Sequence, residues 1–264
     1  MQQLKDGIMD AIRGAALVQI WWALAHDFLK KRFRRSAIGL LWVPLSFALF
    51  ITVKSIFFGS RPTGDLENFV AFIIVGYYCW TYISGMLLSA TSAYVNSVHW
   101  IEGVQLPYSV YLYQTAVQEV IFFALSGIVV VAAFILLDVP INPLMWTIIP
   151  ALGFYVLSGI WTTFLFSSIG LKYRDLTHGM QAFMRVMFFA TPILWSPEQF
   201  NSEFVKTLCL INPFTHYLAI VREPIISGTI PVLSWQIVGG VTLVGCLLAA
   251  FSFSLSRKRL VYWI

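Results

Sequence analysis

The chain has 264 residues, of which 59% are hydrophobic and only 11% charged, and its mean hydropathy is +0.79. Soluble domains carry charges on roughly a quarter of their residues, so this composition excludes that class and indicates a membrane protein. A helix needs about 20 apolar residues to cross a bilayer, so the length leaves room for about six crossings. The formal charge of +5 is therefore interpreted by its position along the chain, and it does not indicate nucleic-acid binding.

The N-terminal residues 1–36 are predicted to form a cytoplasmic segment that carries an interfacial amphipathic helix. Leu17, Trp21, Leu24 and Phe28 recur at helical spacing on one face. The paired Trp21 and Trp22 suit the headgroup boundary of a membrane. These features favour a helix that lies in the membrane plane.

A cleaved secretory signal is the alternative for this segment, because "AALVQIWWALAH" resembles a short apolar region that ends in Ala-Leu-Ala. Asp6 and Asp10 precede it, however, and a cationic cluster follows it that would have to be translocated. That cluster, "KKRFRR" at residues 30–35, includes Arg32, Arg34 and Arg35. We expect it to end the interfacial helix and to anchor the first span on the cytoplasmic side.

Six apolar segments follow, at 37–58, 69–93, 115–137, 144–170, 180–196 and 235–255. Each is long enough to cross a bilayer as a helix, although the fifth is marginal. Residues 37–264 are therefore predicted to form an all-α, polytopic domain of six transmembrane helices.

The distribution of Lys and Arg predicts the orientation of these spans. Basic residues cluster before the first span, after the fourth and after the sixth; they are Lys5, Arg13, Lys30, Lys31, Arg32, Arg34, Arg35, Lys172, Arg174, Arg257, Lys258 and Arg259. The opposite loops carry few basic residues and more acidic ones: Arg61, Lys206, Arg222, Asp65, Glu67, Asp138, Glu198, Glu203 and Glu223. The positive-inside rule then predicts a multi-pass protein with both termini in the cytoplasm.

The segment from Ser196 to Ser234 is too apolar for an exposed loop. Asn212-Pro213 and Pro224 break it into amphipathic pieces that are too short to span. Irregular backbone at membrane depth is tolerated inside protein or beside water, so we expect short re-entrant helices before the last span.

The sequence contains no arrangement typical of a catalytic or metal site. Cys79, Cys209 and Cys246 have no framework spacing, and His99 and His178 stand alone in loops. The acidic residues are scattered, which argues against a membrane-embedded enzyme. The chain also contains no G-x-x-x-x-G-K-[ST] phosphate-binding loop.

Several motifs occur together in a specific order: "RFRRSAIGLLWVPL" enters the first span, "LKYRDLTHGMQAFMRVMFFATPILWSPEQF" surrounds the fourth and fifth, and "INPFTHYLAIVREPIISG" precedes the sixth. This succession resembles the permease subunit of bacterial polysaccharide exporters of the ABC-2 type, over nearly the whole chain. That group exports O-antigens, capsular polysaccharides and teichoic acids.

The resemblance implies a homodimer in the bacterial inner membrane that exports a lipid-linked polysaccharide, such as lipopolysaccharide O-antigen or capsule. Two copies of a separate cytoplasmic ATPase would bind the ATP and Mg²⁺, and this chain would hold no cofactor and perform no catalysis. Further expected partners are membrane lipids and periplasmic or outer-membrane export proteins. A permease for small molecules or drugs from the same superfamily is the alternative. A secondary transporter would need paired discontinuous helices, which the sequence does not contain.

The resemblance also assigns a coupling role to the second cytoplasmic loop, which would dock a short helix into the ATPase. Asn96 opens this loop, and "WIEGVQLP" fits such a helix. Trp100, Ile101 and Leu106 would supply apolar contacts, and Pro107 would end the helix.

Aromatic residues make up 16% of the chain, and many lie within spans. Their flat faces suit the C–H faces of sugar rings, whereas packing between helices or against lipid is the alternative. The predicted channel-lining residues are Phe47, Phe50, Lys54, Tyr77, Tyr78, Trp80, Tyr82 and Arg185. For Lys54 the alternative is snorkelling to the surface, and for Arg185 it is a pair with Asp175. The resemblance also implies an outer gate formed by the segment before the last span, and Pro213, Arg222 and Glu223 would lie near it.

Overall fold

The computed structural model describes residues 2–58, 66–197 and 202–263. These residues form helices connected by turns and contain no β-strand, so the prediction of an all-α polytopic fold is confirmed. The helices are α1 (Gln2–Ala16), α2 (Val18–Phe33), α3 (Trp42–Phe58), α4 (Leu66–Ser92), α5 (Val98–Gly103), α6 (Ser109–Leu136), α7 (Ile148–Lys172), α8 (Leu176–Ala190), α9 (Glu203–Ile211), α10 (Pro213–Ile226), α11 (Val232–Ser256) and α12 (Leu260–Trp263).

Five helical segments of the described chain are long and apolar enough to cross a membrane: Gly39–Phe57, Phe69–Ser92, Ser109–Leu136, Pro143–Lys172 and Val232–Arg259. They match the first four predicted spans and the last one. Two bent helix pairs, α1 with α2 and α9 with α10, raise the number of candidate spans to as many as seven. Arg61, Asp65 and Glu198, used above for orientation, lie outside the described residues.

The fifth predicted span, 180–196, is not a continuous helix. Its helical part is α8, whose 15 residues extend about 22 Å and so fall short of a bilayer core of about 30 Å. The helix ends because Pro192 restricts the preceding Thr191 to extended backbone, with φ −103° and ψ 137°. Any crossing at this position therefore combines a helix with an extended segment.

The N-terminal segment contains two helices where a single interfacial helix was predicted. α1 and α2 meet at Leu17 and are bent by 72° relative to each other. α1 packs on α11 and α6, and the main partner of α2 is α6. Gly7 and Gly14 lie in this contact, because a side chain at either position would collide with Ser254 or Ser109. Tertiary packing therefore sets the bend, since no Gly or Pro stands beside Leu17.

The clusters of basic residues lie at one end of the helix bundle. α1 contacts the C-terminal part of α11 and the start of α6, and Gly170 near the end of α7 packs against the backbone of Thr91 near the end of α4. The N-terminal segment and the end of α11 are thus on the same side. We call this side, where residues 30–35, 172–174 and 257–259 gather, the basic end.

The short pair α9 and α10 is bent by 87° at Asn212. The side chain of Asn212 accepts a hydrogen bond from the backbone N–H of Phe214 (3.0 Å), and Pro213 occupies the first helical position of α10. Asn caps and first-turn prolines both favour helix starts. Asn212 also donates to the Thr191 hydroxyl (2.9 Å), which fixes the bend against the end of α8. A broken span or a re-entrant loop would have this geometry.

Candidate functional site: an aromatic groove and a polar cleft

An open groove of about 530 Å³ runs between α3, α4 and α8. Four of the predicted channel-lining residues lie together in it: Phe50, Tyr77, Trp80 and Arg185. Phe50 and Tyr77 stack with ring centroids 3.8 Å apart, so helix α3 is joined to α4 by an aromatic pair at the groove wall. On α8, Phe188 meets Trp80 edge to face at 5.8 Å. The groove therefore has flat aromatic surfaces on all three helices.

Three other predicted channel residues lie outside this groove. Phe47 is buried and stacks behind Tyr77, with ring centroids 5.5 Å apart. Tyr78 stacks on Phe123 of α6 at 4.1 Å, and Tyr82 is buried beside the same ring. These three side chains hold α3 and α4 to α6 within one chain.

The two cationic channel candidates differ in their surroundings. The Lys54 ammonium lies 5.4 Å from the centre of the Phe50 ring, which places it beside one wall of the groove. Arg185 is exposed in the groove, and its Nε donates to the backbone oxygen of Gln181 in the preceding turn (3.3 Å). Within the described residues Arg185 forms no ion pair with Asp175.

Arg222 joins α10 to the extended segment that follows α8. It is buried, and its guanidinium donates to the backbone oxygens of Pro192 (2.7 Å) and Ile193 (3.4 Å). The same group stands 3.7 Å over the ring of Phe72 on α4, a cation–π contact. Gly76 makes room for it, because a side chain there would collide with the guanidinium. Arg222 thus clamps three elements, and its partners are carbonyls and a ring instead of the neighbouring Glu223, which is half-buried.

The apex of the α9–α10 pair contacts the groove wall. Phe214, next to Pro213, meets the ring of Trp80 edge to face at 5.8 Å. Further along α10, the backbone oxygen of Tyr217 accepts a hydrogen bond from the Tyr155 hydroxyl of α7 (2.9 Å). A displacement of α10 would therefore change its contacts both with the groove wall and with α7.

The predicted coupling helix is shorter than expected. α5 ends at Gly103 because Val104 is extended, so Pro107 does not end it and instead lies just before α6. Trp100, Ile101 and Leu106 are half-buried against the chain's own helices, and the Lys31 ammonium lies 5.2 Å from the Trp100 ring. The exposed residues of the loop include the predicted Asn96, together with Val95, His99, Glu102 and Val104.

The basic anchor and the paired tryptophans lie at the surface of the basic end. Arg32, Arg34, Arg35 and Trp22 are exposed, whereas Trp21 is half-buried. Arg32 also stands 5.4 Å from the centre of the Phe122 ring of α6. These side chains are placed where anionic headgroups could contact them.

Asp10 forms a buried polar junction that the sequence did not reveal. Its carboxylate accepts hydrogen bonds from the backbone N–H and hydroxyl of Ser109 (3.1 and 2.8 Å) and pairs with Arg257 (2.8 Å). α1, α6 and α11 are thereby joined at the basic end. Burial raises the pKa of the nearby Tyr94 well above its ordinary value, and the Asp10 carboxylate raises it further. The one signal for this junction in the sequence was Asp10 itself, an acidic residue on the side of α1 that is buried.

A second, polar cavity of about 220 Å³ lies at the basic end between α2, α4, α6 and α8. Its lining carries amides, hydroxyls, one Arg and one Glu; the residues are Phe28, Arg32, Leu88, Ser89, Ser92, Asn96, Ser97, Gln114, Thr115, Gln118, Glu119, Thr177 and Gln181. We call it the polar cleft. Leu88 and Gln181 line both the cleft and the aromatic groove, so the two spaces adjoin. Of these residues Phe28 and Arg32 were named from the sequence as parts of the N-terminal segment and Asn96 as part of the coupling loop, but none was predicted to line a cavity.

The chain is similar in sequence to known proteins over most of its length. No family model matches the chain. Two proteins of Klebsiella pneumoniae named O-antigen export system permease protein RfbA are each 23% identical to it over 237 residues, 89% of this chain and 90% of the relative. A protein of the same name from Myxococcus xanthus is 26% identical over 232 residues, 84% of this chain and 87% of the relative. The resemblance to polysaccharide-exporter permeases is thereby confirmed over most of the chain.

Proposed function

We propose that the chain is the membrane-spanning permease subunit of an ATP-driven ABC transporter that exports a lipid-linked polysaccharide across the bacterial inner membrane. The observation that carries the proposal is similarity over 84–89% of the chain to permeases named for O-antigen export. An O-antigen is therefore the proposed passenger, and a capsular polysaccharide is the closest variant of the same proposal.

The aromatic groove supports a passage for sugars. Phe50, Tyr77 and Trp80 offer apolar faces that contact sugar rings without trapping them, and a conduit must bind weakly enough to release its passenger. The groove is open along one side of the chain, which suits a channel completed by a second copy. A homodimer with the two grooves facing each other is thus part of the proposal.

The energy for export is proposed to come from two copies of a separate ATPase subunit, which bind ATP and Mg²⁺. The outward residues of the α5 loop, such as His99, Glu102 and Val104, form the docking surface, together with the α1–α2 segment. The basic end then faces the cytoplasm, where the positive-inside rule places Lys and Arg and where anionic headgroups contact them.

In the proposed mechanism, closure of the ATPase subunits pushes on α5 and on the α1–α2 segment. The Asp10 junction transmits the push to α6 and α11, since the three elements share buried polar bonds. Movement of α3 and α8 then widens the groove, and the Arg222 clamp determines how far α10 follows. This chain contributes the passage, and the partner subunits hydrolyse the nucleotide.

Deletion of the gene in its native host tests the proposal. We expect the host to lose one surface glycan and to accumulate it on its lipid carrier inside the cell, with recovery on expression of the intact chain. Loss of resistance to small toxic molecules, with all surface glycans unchanged, would instead support the small-molecule alternative and contradict polysaccharide export.

A further inference from the structure

Two amide groups in the polar cleft have unused hydrogen-bonding capacity. Gln114 and Gln118 lie one helical turn apart on α6 and are 5% and 6% exposed. Within the described part of the chain, neither the Gln114 side-chain oxygen nor the Gln118 side-chain nitrogen has a hydrogen-bond partner. A buried polar group without a partner lowers the stability of the fold by about 1–3 kcal/mol. Two such groups in one cleft therefore indicate a ligand that supplies the missing hydrogen bonds.

The chemistry of the cleft favours a neutral ligand rich in hydroxyls. Gln118 offers a donor and Gln114 an acceptor, which together match a hydroxyl group or a pair of neighbouring hydroxyls. The carboxyl group of Glu119, which accepts a hydrogen bond from Ser89 (2.5 Å), lies in the same wall. Because Arg32 is the one cation among the lining residues and the acidic Glu119 lines the same cleft, the cleft is poorly suited to a phosphate.

The other side chains that line the cleft suit contact with a sugar ring. Phe28 supplies an apolar aromatic side chain, while Asn96, Thr177 and Gln181 add further polar groups around the same space. The volume of about 220 Å³ is that of a small-ligand subsite and is below the range of sites for drug-sized molecules, about 300–1,000 Å³. A single sugar unit matches this size better than a lipid chain, which the polar lining would exclude.

We propose that the polar cleft binds one sugar unit of the passenger at the basic end, before the glycan enters the aromatic groove. This inference rests on the proposed function for the identity of the ligand. Because Leu88 and Gln181 line both spaces, a sugar held in the cleft adjoins the groove. Hydrogen bonds in the cleft depend on the positions of the sugar hydroxyls, whereas the flat aromatic surfaces of the groove can contact many different sugars. Selectivity for the glycan therefore resides in Gln114 and Gln118.

The test uses the full-length chain with its ATPase partner in lipid nanodiscs. The probe is the glycan released by mild acid from the surface of the native host and labelled at its reducing end, and dextran of matched length is the control sugar. Fluorescence anisotropy measures binding to the unaltered chain, to Gln118→Leu and Gln114→Leu, and to Gln236→Leu as a matched control. Gln236 is exposed on α11 and is not among the residues that line the cleft.

We expect Gln118→Leu and Gln114→Leu to weaken binding of the host glycan at least about ten-fold, because each removes a hydrogen bond to the sugar. Gln236→Leu should bind like the unaltered chain, and dextran should bind weakly to all four proteins. Thermal unfolding separates this result from misfolding: replacing an unpartnered buried amide by an apolar group of similar size should leave the midpoint unchanged or raise it.

Binding of the host glycan by Gln118→Leu and Gln114→Leu at full strength would overturn the sugar subsite, as would equal binding of dextran and host glycan. If the unaltered chain binds no glycan while gene deletion still abolishes its export, the subsite fails and the proposed function stands. If deletion leaves every surface glycan in place, the proposed function itself fails.

Discussion

The carboxylate of Asp10 and the backbone N–H of Ser109, 99 positions apart, are joined by a buried hydrogen bond of 3.1 Å. The Ser109 hydroxyl donates to the same residue, with its one proton shared between the Asp10 backbone oxygen at 2.7 Å and the carboxylate at 2.8 Å. These contacts, with the ion pair from Asp10 to Arg257, attach the N-terminal helix to the two spans α6 and α11.

Asp10→Ala should destabilise the protein by about 1–3 kcal/mol, because it leaves the Ser109 N–H and the Arg257 guanidinium without their buried acceptor. Thermal unfolding in nanodiscs measures the loss, and limited proteolysis should cut α1 faster in the variant. Asp6→Ala is the matched control, since Asp6 lies one turn away on α1 and is only half-buried. Equal stability of the two variants would show that the junction does not hold α1.

Arg222→Lys and Arg222→Gln should both loosen the α9–α10 pair, because neither side chain can reproduce two carbonyl bonds and a ring contact. The native Cys209, buried on α9, reports the change. With Cys79 replaced by Ala and Cys246 by Ser in every protein compared, a membrane-impermeant maleimide should label Cys209 several-fold faster in the variants. Unchanged labelling in Arg222→Gln would contradict the clamp. Arg185→Gln is the control, because within the described residues the hydrogen bond of the Arg185 side chain stays inside α8.

Phe50→Ala should lower glycan export several-fold with insertion intact, because it removes one of the stacked rings from the groove wall. Phe57→Ala on the same helix should export normally, since Phe57 is 77% exposed and outside the groove. Surface glycan is measured in the deletion host that expresses each variant. Equal export by both variants would remove the groove from the pathway.

Val104→Asp should abolish both export and co-purification of the ATPase partner while leaving thermal stability unchanged, because Val104 is exposed on the coupling loop. Trp100→Asp should also block export, but it should lower stability too, since Trp100 is half-buried against the chain's own helices. Full ATPase binding by Val104→Asp would place the docking surface elsewhere.

Composition and hydropathy predicted the all-α class and five of the spans because the bilayer demands long apolar helices. The same reasoning overestimated the helical length of the fifth span. Apolar residues continue past Ala190, but Pro192 ends the helix. The break at Leu17 could not be predicted, because it follows from how α1 packs on α11 and α6 and not from a local helix breaker.

The candidate site was predictable in type but not in geometry. Sequence identified aromatic residues within spans, but helical phase alone did not separate Phe50, which faces the groove, from Phe47, which is buried behind Tyr77. The polar cleft was missed because its lining comes from four helices that are distant in sequence. Gln114 and Gln118 become informative only when their burial and their unused bonding capacity are known.

The central claim is that the glycan passes through the groove between α3, α4 and α8. A photo-crosslinking amino acid placed at Phe50 tests it directly in cells whose glycan is metabolically labelled. We expect light to attach labelled glycan to the chain from position 50 when ATP is available, and not from the exposed position Phe57. Equal crosslinking from both positions, or none from position 50 while export proceeds, would contradict the account.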